Sequence, residues 1–232
     1  MKKLLLLLFS IIFRLYFIFI YQILSSSNKI QLGSYFFGFI KIKGRNNNIS
    51  LSGINNRINI NLEGDNNSII IESGQISNLR ISVSGNNHSV IIRAHRGISN
   101  TNIVIFDNKN NLYIDEDTGI GGARFVIGGR ENYIKLGKSN MISDNVEFWA
   151  TDSHSILEQH TKKRINIDKP ITLMDHVWIG CNVSVLKGVI INQNSIIGMG
   201  SVVTTDVPEN CVSVGNPNRT VKKNITWCIE RL

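Results

Sequence analysis

The chain has 232 residues, 42% of them hydrophobic, with a formal net charge of +8. That is enough apolar material for one large domain or two small ones, so a chain with no packed core is excluded. The positive balance points to acidic partners, such as a phosphate-bearing cofactor, anionic lipid or an acidic polysaccharide. Nucleic acid is not expected, because no aromatic-plus-basic module is present.

Residues 4–24 (LLLLLFSIIFRLYFIFIYQIL) are almost wholly apolar and follow Lys2 and Lys3. The stretch is long enough to span a bilayer. An export signal is weakly supported, since only the serines at 25–27 offer a small-residue cleavage site. A spanning helix, a helix packed between subunits, and a helix lying on the inner face of the membrane with Arg14 reaching the headgroups remain open. An N-terminal apolar helix over residues 1–27, at the inner face, is expected.

Residues 30–135 carry a loose repeat. GRNNNISL begins at Gly44, GDNNSIII at Gly64, GNNHSVII at Gly85, DNKNNLYI at Asp107 and GRENYIKL at Gly129, in steps of 20, 21, 22 and 22 residues. Each unit is a Gly/Asn turn followed by an alternating strand, and Asn and Gly tolerate positive φ at corners. Low-complexity sequence would not keep Ile and Val in alternation. These units read as irregular coils of a solenoid that continues without a linker.

A stricter frame follows, from Leu136 through Ile142 and Phe148. It then returns as Leu173, Ile179, Val185, Ile191, Ile197 and Val203, one aliphatic every six residues. Small or β-branched residues recur four places on: Val177, Val183, Val189, Ser195, Ser201 and Val207. Period six fits neither a helix nor a two-faced strand. It fits a solenoid of parallel β-coils, three hexads to a triangular turn of 18 residues. The frame breaks at TDSHSILEQHTKKRINIDKP (151–170), a polar excursion holding Asp152, His154, His160 and the run Lys162, Lys163, Arg164. Loops thrown out of a regular scaffold tend to carry function. Cys181, Cys211 and Cys228 form no C-x-x-C pair, so reduced thiols in a cytosolic setting are expected.

FWATDSHSI (148–156) and DHVWIGCNVSVLKGVIINQNSIIGMGSVVTTDVPENCVSVGNPNRTVKK (175–223) resemble the hexapeptide-repeat acyltransferases. Among these the chain is most similar to the sugar O-acetyltransferases of capsule, lipopolysaccharide and sialic acid pathways. The resemblance covers residues 140–223 well and 40–139 in style. It implies an all-β fold, a left-handed parallel β-helix over residues 28–218 with a C-terminal tail at 219–232, usually assembled as a homotrimer. Handedness comes from the resemblance alone, because the general crossover rule favours the other hand. The implied activity is acetyl transfer from acetyl-CoA to a sugar hydroxyl, in the cytoplasm at the inner membrane face, with no metal. Alternatives are an N-acetyltransferase on an amino sugar or amino acid, a zinc carbonic anhydrase on the same solenoid, and a non-catalytic platform. His154, His160 and His176 lack the zinc enzyme's ligand pattern.

By position, His154 matches the family's catalytic histidine, whose imidazole titrates near neutrality and suits a general base. No acyl-enzyme is expected, so Cys181 is not a nucleophile. Trp178 resembles the active-site tryptophan of sialic acid O-acetyltransferases, whose indole N–H is a pure donor. Asp152 is a candidate to orient His154. Cys181, Met199, Thr204, Thr205, Arg219 and Lys222 match CoA contacts, with Arg219 and Lys222 suited to phosphates. Two departures stand out: the family usually has lysine where this chain has Thr205, and alanine where it has Met199.

Overall fold

The computed structural model describes residues 27–33 and 35–232; the apolar stretch at 4–24, and the helix expected there, lie outside the described residues. Among the described residues every regular element is a β-strand, and no helix is long and apolar enough to cross a membrane. The chain winds as a β-solenoid through three faces in turn. The first face stacks Lys29–Leu32, residues 48–51 and 68–71, Ser89–Ile92, Asn111–Ile114, Tyr133–Leu136, Ile171–Leu173 and Ile190–Ile191. The second stacks residues 35–37, 54–56, 75–77 and 98–99, then Gly119–Ile120, Met141–Ile142, Trp178–Ile179, Ile196–Ile197 and residues 212–213. The third stacks residues 39–43, 59–63, 80–83 and 102–105, then Ala123–Ile127, Val146–Trp149, Ser184–Leu186 and Val202–Val203. All these pairings are parallel, so each coil satisfies its backbone groups on the coils above and below.

The core is the inward side of the three stacks. Down the third face the wide coils each bury two apolar side chains, Ile60 with Leu62, Ile81 with Val83, Ile103 with Ile105 and Phe125 with Ile127. The narrow coils bury one, Val185 and then Val203. This is why the step from Ile92 to Ile114 takes 22 residues and the step from Leu173 to Ile191 takes 18. Phe125 and Phe148 sit where the solenoid narrows, their rings stacked at 4.8 Å. Their bulk fills the taper.

The Asn-rich units build the corner between third and first faces. Asn47, Asn67, His88, Asn110 and Asn132 are buried there, one per coil. Each takes the next residue's backbone N–H: Asn67 N donates to Asn47 Oδ1 at 2.9 Å, His88 N to Asn67 Oδ1 at 2.8 Å, Asn110 N to His88 Nδ1 at 3.1 Å, and Asn132 N to Asn110 Oδ1 at 2.8 Å. The Asn repeats are therefore a side-chain ladder satisfying corner amides. Because His88 Nδ1 accepts, its Nε2 carries the proton, facing the carbonyls of Ser84 and Asp107 at 3.3 and 3.1 Å. Burial lowers the His88 pKa, outweighing the backbone hydrogen bonds that raise it. Gly64 begins the second of these corners with φ +134°, and a Cβ there would collide with the Gly85 carbonyl.

At the far end, Cys211–Val214 pairs with Arg219–Lys223, the latter antiparallel, so the residues after 218 open with a strand that closes the top coil. The chain then folds back. Trp227 donates Nε1–H to the His176 carbonyl at 2.9 Å and stacks on the His176 ring at 4.1 Å.

Candidate active site

The parallel ladder passes from Leu136 directly to Leu173, 37 residues later. The extra chain is the excursion expected from sequence, and it leaves the corner between third and first faces. Thr151 is still buried, whereas Asp152 and His154 are exposed, so the chain has left the coil before His154. Ser153 turns it with φ +61°. The arm is a short hairpin, with Leu157 bridged to Arg164 and the Glu158 carboxylate accepting the backbone N–H groups of His160 and Thr161.

Asn166 ties the arm's two strands at His154. Its Nδ2 donates to Asp152 Oδ2 at 2.7 Å and to the His154 carbonyl at 2.8 Å, while its Oδ1 accepts from Ile156 N at 2.7 Å. Lys187 occupies the same corner one coil further on. It ion-pairs with Asp152 and donates to the Asn166 carbonyl at 3.3 Å. Burial alone would raise the Asp152 carboxyl, but the hydrogen bonds from Lys187 and Asn166, with the charges of Lys187 and Arg164, hold it below the usual carboxylate range. The clamp is therefore intact above that range and is lost only as pH falls through Asp152's lowered value. Asp152 touches neither ring nitrogen of His154; it acts on the backbone through Asn166. Among the described residues the His154 ring makes no hydrogen bond, so both ring nitrogens face solvent.

Trp178 lies elsewhere, on the second face between Met141 and Ile196. In a three-faced coil that is the face opposite the corner carrying His154. Its Nε1 is buried without a partner among the described residues, beside Trp227 at a ring separation of 6.1 Å. The other buried atoms in that position are three asparagine carbonyl oxygens, so this is an unmatched donor.

Four of the six CoA candidates border the upper third face. Cys181 and Met199 stand on its edge with the second face, where Gly200 N donates to the Cys181 carbonyl at 2.9 Å. Thr204 and Thr205 stand on the edge shared with the His154 arm. The wall between them is formed by Ser184–Leu186 and Val202–Val203. Thr204 N donates to Asn218 Oδ1 at 3.1 Å, which brings Arg219 to the top of this wall. Lys222 pairs with Val212, above the second face. Met199 is 74% exposed, and Thr204, Thr205, Arg219 and Lys222 are exposed too, so five of the six residues reach solvent and Cys181 is half-buried. Asn166 and Lys187 escaped sequence reading. The one signal for Lys187 is its position immediately after a hexad strand, 18 residues from the next corner.

The family model described as bacterial transferase hexapeptide (six repeats) matches residues 170–205. A polysialic acid O-acetyltransferase of Escherichia coli O1:K1 / APEC is 39% identical over 94 residues, 40% of this chain and 31% of that protein. This chain thus spans less than a third of that relative's length. Among solved structures, the polysialic acid-specific acetyltransferase NeuO superposes with a TM-score of 0.61 at 29% identity, covering 89% of this chain and 91% of that one. The polysialic acid O-acetyltransferase OatWY superposes with a TM-score of 0.66 at 26% identity, covering 88% and 92%.

Proposed function

Because the chain belongs to the hexapeptide-repeat acetyltransferase family, we propose that it moves an acetyl group from acetyl-CoA to a hydroxyl of a sialic acid-containing bacterial surface polysaccharide. The observation that carries this reading is His154, presented with a free imidazole on an arm clamped by Asn166, Asp152 and Lys187. Neutral His154 takes the proton of the acceptor hydroxyl as its oxygen attacks the thioester carbonyl. Trp178 Nε1–H is the donor assigned to the oxyanion that forms, a role that requires this N–H, buried beside Trp227, to be uncovered when the thioester binds. Collapse breaks the C–S bond, and the proton on His154 passes to the leaving thiolate. Cys181 takes no part in the bond changes. Thr204, Thr205 and Arg219, with Cys181, Met199 and Lys222, line the path of CoA, and Arg219 and Lys222 meet its phosphates.

His154 and Trp178 occupy opposite sides of one solenoid, so a site using both is completed by a second copy. Ile156, Leu157, Ile165 and Ile167 on the arm are each more than half exposed, the kind of surface that a neighbouring copy covers. The proposed assembly is a homotrimer of left-handed coils with three sites between subunits. It works on the cytoplasmic side, where acetyl-CoA is made, with residues 4–24 at the inner membrane face.

The test is thiol release from acetyl-CoA with polysialic acid as acceptor. The wild-type chain turns over, and His154→Ala and Trp178→Phe each lose activity. Co-expressing the two variants restores part of it, because mixed trimers contain intact sites. Wild-type inactivity on every sialylated acceptor sinks the function, and absence of complementation sinks the shared site.

A further inference from the structure

The net charge of this protein is confined to one end. Residues 1–62 hold eight of the 25 Lys and Arg and none of the 17 Asp and Glu, so the remaining residues carry 17 of each and balance to zero. Within the described part of that end, Lys29, Lys41, Lys43, Arg45 and Arg57 belong to the first two coils.

The same coils expose apolar rings. On strand Tyr35–Lys43, Phe36 and Ile42 pack against the core, and the alternate positions face outward. Tyr35 is 50% exposed and Phe37 62% on the second face; across the corner, Phe39 is 44% exposed and begins the outward row of Lys41 and Lys43 on the third. Ile54, next to Tyr35 on the following coil, is 51% exposed. One or two coils further up these columns the outward residues turn polar: Phe37 gives way to Asn56 and Ser77, Phe39 to Asn59 and Arg80. The apolar character is a property of the end coils and not of the outward positions in general.

Aromatic and aliphatic side chains rimmed by cations, with acids at the margin where Glu63 adjoins Lys43 and Asp65 adjoins Arg45, make a surface suited to the headgroup region of an anionic bilayer. We propose that the first two coils dock on an anionic lipid surface, with Phe37, Tyr35 and Ile54 entering the interface and Lys41, Lys43 and Arg57 meeting the headgroups. A second copy of the chain is a poorer occupant, because pairing this face with itself sets cations against cations. The inference stands apart from the acetyl-transfer reading and does not use residues 4–24. Five coil steps separate Phe39 from the coil that launches the His154 arm. At the usual strand spacing the arm stands roughly 24 Å along the axis from the docked end.

The test uses the full chain and vesicles of phosphatidylcholine with or without phosphatidylglycerol. Each cation near such a surface contributes about fivefold in binding, so Lys41→Gln with Lys43→Gln should weaken binding to the anionic vesicles by roughly 30-fold and leave the weak binding to neutral ones unchanged. Both positions are exposed, and an unchanged melting curve checks the fold. In a second measurement, a tryptophan placed by Phe37→Trp should add fluorescence that brominated phosphatidylglycerol quenches beyond the wild-type level. Wild-type vesicle affinity in the double variant, or no added quenching at position 37, overturns the proposal. So does a fall in oligomer size on Phe37→Ser with vesicle binding unaltered, which would make this face a contact between copies.

Discussion

Removing the Asn166 side chain tests whether the excursion positions its histidine or merely displays it. Asn166→Ala deletes the donor to the His154 carbonyl at 2.8 Å, the donor to Asp152 at 2.7 Å and the acceptor for Ile156 N at 2.7 Å. A hydrogen bond of this kind contributes about 0.5–1.5 kcal/mol net, so three give roughly 1.5–4.5 kcal/mol of local order. Asn166 is half-buried, and water replaces part of that. If about 1.5–2.5 kcal/mol is left as the cost of holding His154 in place, kcat should fall roughly 10- to 70-fold. The KM for acetyl-CoA should stay within about twofold, because the candidate CoA wall lies on other coils. Initial rates of thiol release at saturating acceptor measure both. Carbethoxylation of His154 should proceed at the wild-type rate or faster, since its ring is already exposed. A wild-type kcat in Asn166→Ala would refute the positioning argument, and a rise in KM without loss of kcat would move Asn166 into substrate binding.

Three further outcomes are expected. His154→Ala should cut turnover by roughly 10²- to 10⁴-fold, the usual worth of a positioned base, with CoA affinity by calorimetry unchanged. Arg219→Ala should weaken CoA by about 1–3 kcal/mol through a lost charged hydrogen bond, with less effect on saturated turnover. His88 has its pKa lowered by burial from 6.5, so the unfolded chain takes up its proton first as pH falls. Its contribution to stability is present above that value and is lost progressively below it; His88→Asn should extend the corner ladder and flatten the fall in melting temperature across mildly acidic pH.

The hexads were legible because each aliphatic position has one inward direction and a fixed spacing. Val185 and Val203, six-residue multiples apart in sequence, do pair on one face. The Asn-rich half was legible as turns and strands but not as a ladder. That Asn47, Asn67, Asn110 and Asn132 point inward depends on which way each corner folds, and a buried Asn looks in sequence like a solvated one. His154 was legible through the residues around it. Its support was not: Asn166 is 12 residues away and Lys187 reaches Asp152 across 35, distances that only the coil stacking closes. Trp178 was legible as a residue type, while its position on the opposite face follows from three strands per coil and has no local signature.

The excursion also separates what stabilises this protein from what would make it act. Ile134, Lys135 and Leu136 pair with Ile171, Thr172 and Leu173 in unbroken register, although the arm intervenes. The buried ladder passes beneath it too, since Asn132 Nδ2 donates to the Ala150 carbonyl at 2.9 Å. The arm itself contributes no residue between Asp152 and Lys169 to the buried core. Apart from the Lys187 clamp at its base, its effect on folding is the entropy of closing a loop, which grows only slowly with length. Substitution at His154, whose ring makes no hydrogen bond, should therefore change rate without moving the melting temperature by more than a degree or two, whereas Phe148→Ala, at the foot of the same arm, should cost about 3–5 kcal/mol by emptying the stacked pair with Phe125. A large drop in melting temperature for His154→Ala would mean that the arm is part of the folding unit and that its loss of activity says nothing about a base.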